Sequence, residues 1–125
     1  MRKIFTSFFC ICAVCALPLF TVAQTTPVIS DVFYVQSNSL NVTNYADLHN
    51  KLKVDLNFVI ETACVPAHML TIRLVNTSLV SNGVNANYES FRLLASQVNI
   101  SDMQLLTNFS NELFEEQCRN ARSNN

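Results

Sequence analysis

Glycine occurs once in these 125 residues, at Gly83, and that scarcity removes whole classes of chemistry. A glycine-rich phosphate loop and a Gly-x-Ser-x-Gly nucleophile elbow each need at least two glycines, and no His-Glu-x-x-His pair occurs either. The chain is therefore expected not to be an enzyme. Tight turns must rely on Asn, Pro and Ser, with Asn82-Gly83 the clearest turn signal. Basic residues are scarce as well: residues 24–125 hold six Lys and Arg against nine Asp and Glu, a net charge of −3, and the cations are scattered. No electrostatic footprint for nucleic acid or an anionic membrane results. Cysteine is limited to five, of which Cys10, Cys12 and Cys15 lie close to the N-terminus. A structural zinc site needs four ligands, and the only soft or imidazole donors left are Cys64, Cys118, His68 and distant His49. No cofactor is expected.

What the chain does have is an N-terminal apolar run. Arg2 and Lys3 precede uncharged residues 4–22, and Ala23 follows with Thr21 two positions before it, the form of a secretory signal peptide over 1–23. The run approaches the length of a membrane span, which leaves an uncleaved anchor as the alternative. With cleavage, the mature chain begins at Gln24, keeps no stable membrane insertion and is periplasmic or secreted. Residues 24–125 suffice for one domain with a modest core and are too few for two.

The strongest pattern lies in residues 54–75. Val54, Leu56, Phe58, Ile60, Thr62 and Cys64 alternate as a strand with one buried face requires, and after Pro66 the alternation resumes with Leu70, Ile72 and Leu74. A hairpin with a three-residue loop, Pro66, Ala67 and His68, sets Ile60 opposite Leu74, Thr62 opposite Ile72 and Cys64 opposite Leu70. The same register sets Glu61 opposite Arg73 on the other face.

Around this hairpin, residues 28–35 offer apolar side chains to both faces, which suits a central strand. Residues 24–27 read as a loose start. Asn44 with Asp47 marks a helix start before Tyr45, Leu48 and Leu52, and His49 is expected to be solvated on that helix. Tyr88, Phe91, Leu94, Ala95 and Val98 recur at helical spacing. Residues 102–106 read as a short strand, with the first turn of the last helix as the alternative. Residues 108–121 read as a helix lined by Phe109, Leu113 and Phe114, with acids early and arginines late, as the helix dipole favours.

The order strand, helix, strand, strand, helix, strand, helix resembles the ferredoxin-like β-α-β-β-α-β layout shared by heavy-metal-associated domains, with an additional C-terminal helix. The resemblance is one of architecture and spans residues 28–106. Those metal carriers place a Cys-x-x-Cys motif after the first strand, whereas residues 36–44 hold no cysteine. Metal transfer is not implied.

Cys64 and Cys118 form an even pair in an exported chain, so a disulfide is expected. Closing that loop would contribute about 4 kcal/mol in the chain-entropy model. Four Asn-x-Ser/Thr triplets begin at Asn41, Asn76, Asn99 and Asn108; chance alone gives about two or three in so Asn-rich a chain, and they become N-glycosylation sites only if the host is eukaryotic. The expected function is a small non-enzymatic binding or protein-interaction domain. Its interaction face would be the hairpin's second side: Val59, Glu61, Ala63, Val65, Met69, Arg73 and Val75. The rival reading is that the last helix covers this side. The alternative from another class is a metal-binding or thiol-redox protein using Cys64, His68 and Cys118.

Overall fold

A computed structural model describes residues 28–124; the leader expected over 1–23 and the loose start over 24–27 lie outside the described residues. The two-sided apolar stretch near the N-terminus becomes β1 (Val32–Gln36), with Phe33 and Val35 on one face and Tyr34 on the other. It pairs on both sides, as its two-sided pattern requires. Four antiparallel strands form one sheet in the order β2-β3-β1-β4, with β2 Phe58–Cys64, β3 Met69–Leu74 and β4 Gln104–Leu106. The fold is mixed α+β.

The first helix, α1 (Val42–Val54), starts earlier than Asn44 suggested. Asn41 is its N-cap, and Asn44 is the third helical residue of a reciprocal capping box. Asn44 N donates to Asn41 Oδ1 at 2.9 Å, and Asn41 N donates to Asn44 Oδ1 at 2.8 Å. Each amide satisfies a backbone donor that the helix cannot. The second helix, α2 (Val84–Ser96), begins after Gly83, whose φ of 92° lies where a Cβ would be crowded. A 3-10 segment, Thr77–Asn82, precedes it, and Asn87 Nδ2 ties the two together by donating to Leu79 O at 2.9 Å.

Helices α1 and α2 cover one face of the sheet. Leu48 and Leu52 from α1 and Phe91 and Ala95 from α2 join Phe33, Val35, Phe58, Leu70, Ile72 and Leu74 in the larger core. Phe33, Phe58 and Phe91 meet edge to face, with centroids 5.5–6.3 Å apart. Residues 102–106 contribute a strand, β4, whose Leu105 faces this core while Leu106 faces the other side. The last helix, α3 (Asn111–Ser123), starts at Ser110, whose side chain accepts from Leu113 N at 3.2 Å. Asn108, expected at the helix start, instead takes a left-handed turn at φ 53° before it.

The hairpin differs from its expected register at two places. Cys64 pairs directly with Met69, so the loop is four residues, 65–68, comprising a 3-10 turn Val65–Ala67 and a left-handed His68. An even loop reverses the expected parity. A β-bulge between Ile60 and Thr62 then restores it, so that Ile60 pairs with Ile72 and Phe58 with Leu74. Strict alternation therefore fails only between the bulge and the loop. There Ala63, not Thr62, packs against the larger core, and Cys64 turns to the opposite side. Val54 and Leu56, read as the start of the strand row, belong to the end of α1 and the turn after it and are exposed.

Candidate interaction face and disulfide

The second side of the sheet is divided in two. Helix α3 covers one part, where Cys64, Met69, Phe114 and Cys118 are buried together, with Tyr34, Leu106 and Phe109 packed against them. Tyr34 meets Phe109 and Phe114 at centroid distances of 5.3 and 6.3 Å. Cys64 and Cys118 are disulfide-bonded, with Cα atoms 5.9 Å apart. The bond is possible because the bulge rotates Cys64 out of the row that Phe58 and Ile60 occupy. Leu113, expected on the apolar side of this helix, is 39% exposed, since Phe114 and Cys118 set the buried stripe.

Beyond α3 the same side is open. Val59 and Val75 are 41% and 56% exposed, and between them Arg73 holds two carboxylates. Arg73 Nη1 donates to Asp31 Oδ2 at 2.9 Å and Nη2 to Glu61 Oε1 at 2.5 Å. These hydrogen bonds, Glu61's foremost, raise the Arg73 pKa further above its ordinary value. Glu61 reaches Arg73 although Val59 is the residue directly opposite, because the bulge lifts Glu61 out of the regular ladder. Asp31 could not be foreseen as a partner, since only the β1–β3 pairing brings it there.

Three members of the expected face lie elsewhere. Met69 is buried beneath α3, Ala63 packs toward the larger core, and Val65 sits half-buried in the 3-10 turn. The shifted parity around the loop accounts for Ala63 and Val65, whereas Met69 keeps its expected side and is buried because α3 covers it. His68 does not meet either cysteine in a ligand set: its Nδ1 lies 3.1 Å from Leu40 O, and both sulfurs are bonded to each other. His49 is exposed beside Tyr45 on α1. Among the described residues no group of three His, Cys, Asp or Glu side chains is placed to share a metal ion.

All four Asn-x-Ser/Thr asparagines are exposed. Asn41 caps α1 and Asn76 caps the 3-10 segment, its side chain accepting from Ser78 N, whereas Asn99 and Asn108 occupy left-handed turns at φ 67° and 53°. One polar cluster escaped sequence reasoning. Asp102, before β4, accepts hydrogen bonds from the Ser37 hydroxyl, from Ser39 Oγ at 2.5 Å and from Ser39 N at 3.2 Å. The Ser37 bond first, then that of Ser39, holds the Asp102 carboxyl below its usual pKa. The cluster ties the loop before α1 to the loop before β4.

Two clefts flank the second side. One, of about 490 Å³, lies by β1 and β4 and is lined by Val28, Val32, Tyr34, Leu106 and Phe109. The other, of about 400 Å³, lies between β2 and α3 and is lined by Thr62, Ala63, Phe114, Glu115, Cys118, Arg119 and Arg122. No described helix is long and apolar enough to cross a membrane. Comparison with known proteins adds no constraint: no family model matches the chain, and neither the curated proteins nor the solved structures contain a significant match.

Proposed function

We propose that this chain is a small exported, non-enzymatic protein-interaction domain, and that the open part of the sheet's second side is its contact surface. The observation behind the reading is the exposure of Val59 and Val75 on either side of the Asp31–Arg73–Glu61 group. Apolar side chains around an ordered charged centre give a partner both area to bury and a fixed point to recognise. Export is supported by the form of residues 1–23 and by the disulfide, which persists in oxidising compartments. A ferredoxin-like fold is supported by the strand order: β3 lies between β1 and β2, and β1 between β3 and β4, as two interlocked split β-α-β units require.

The test is affinity capture from the exported fraction of the source cells. Mature protein should retain a defined partner that the double variant Val59→Asp, Val75→Asp loses, while Leu93→Asp, a change of equal kind on exposed α2 surface, retains it. Equal retention by all three proteins would remove this surface from consideration.

A further inference from the structure

We infer that the cleft between β2 and α3 takes an acidic segment of an extended polypeptide, with a carboxylate held by Arg119 and Arg122. The inference rests on the reading of the chain as an interaction domain and adds the chemistry of the partner. Three observations meet here. First, among the described residues β2 pairs with β3 alone, so its outer edge presents backbone N–H and C=O groups to which a further strand can be added. Second, Arg119 and Arg122 are exposed, lie three residues apart on α3 and line the same cleft as Thr62. Third, neither arginine forms an ion pair among the described residues, although Glu115 lines the cleft with them and Glu116 lies one turn from Arg119. Two unpaired guanidinium forks match the planar, bidentate geometry of a carboxylate. Phe114 and Cys118 give the stem of an acidic side chain an apolar floor.

The plainer account is that these arginines only complement the C-terminal end of the α3 dipole. Arg122 lies in the last turn and fits that account. Arg119 lies a turn earlier, and the dipole alone accounts neither for the cleft nor for its position beside the outer edge of β2. A free phosphate or sulfate would satisfy the arginines but would leave the strand edge unused, so a polypeptide is the occupant that uses both.

The oxidised mature protein can be used to select binders from a displayed library of random decapeptides. Enriched peptides should contain Asp or Glu, weaken at least tenfold when those acids are changed to Asn or Gln, and weaken similarly against the Arg119→Gln, Arg122→Gln protein. Their amide shift changes in NMR should fall on β2 and the end of α3. Circular dichroism confirms that the variant keeps its fold, and Arg119→Lys, Arg122→Lys should restore binding in part. An absence of acidic enrichment, or equal binding to the Gln variant, would overturn the proposal. A partner still captured through Val59 and Val75 would then show that the interaction reading survives without it.

Discussion

The two sides of the sheet are held by different means. On one, fourteen buried apolar residues from three strands, two helices and the segments that connect them share a continuous core, so each contact is supported by several others. On the other, four buried residues, two of them bonded cysteines, hold a single helix in place. The first side is stable through redundancy. The second depends on one covalent link and a few aromatic contacts, and it is also the side with open surface and with two arginines that form no ion pair among the described residues. Local stability is not uniform in proteins, and binding regions are often drawn from the weaker part.

Substitutions can sharpen that contrast. The largest effect is expected from Phe91→Ala, which removes the ring that meets both Phe33 and Phe58 and leaves a cavity in the redundant core; it should cost about 3–5 kcal/mol in urea unfolding. Replacing Cys64 and Cys118 together by Ala should cost about 2–4 kcal/mol. Amide exchange in this variant should rise first in α3 and little in α1 or α2. Uniform exchange across all three helices would mean that the two sides are a single cooperative unit.

A pair of neighbours on β2 tests the assignment of sides directly. Ile60→Asp brings a carboxylate against the larger core and should cost about 2–3 kcal/mol, whereas Val59→Asp stays hydrated and should change stability by less than about 0.5 kcal/mol. Equal losses would mean that both sides are buried. A modest folding effect at neutral pH is expected for Asp102→Asn, about 1 kcal/mol after allowing for exposure. Because the Asp102 pKa is lower in the folded protein, its contribution is complete above the unfolded value of about 3.9 and is lost as pH falls through the folded one. The gap between wild type and variant in urea midpoint should therefore close below about pH 4.

Much of the larger core was legible in the sequence. The helical spacing of Tyr88, Phe91, Leu94 and Ala95 and the alternation of Leu70, Ile72 and Leu74 are local patterns with one physical meaning, and both correspond to buried faces. The short strand at 104–106 followed from alternation too. What could not be read was the phase of the hairpin. Whether a loop has three or four residues, and whether a strand holds a bulge, depends on backbone geometry that apolar alternation does not encode. The expected face accordingly included Ala63, which packs toward the larger core, while Met69 kept its side and is buried for another reason, the path of α3. Asp31 and the arginine-lined cleft were invisible for another reason: they arise from strand order and from the path of α3, contacts between segments far apart in the chain.

The bulge at Glu61 and Thr62 has a consequence for the kinds of change this chain can accept. It acts as a one-residue phase shift in the strand, and the disulfide lies on the far side of that shift. Substitutions at Glu61 or Thr62 alter side chains while leaving the count intact. Deleting one of them would remove the extra residue and leave a regular ladder in which Ile60 still faces Ile72 and Cys64 still faces Met69, so the disulfide would survive. Straightening the strand with the count kept is what Cys64 cannot accept: strict alternation from Ile60 would turn it toward the larger core, away from Cys118. The segment can be shortened by one residue, but not flattened.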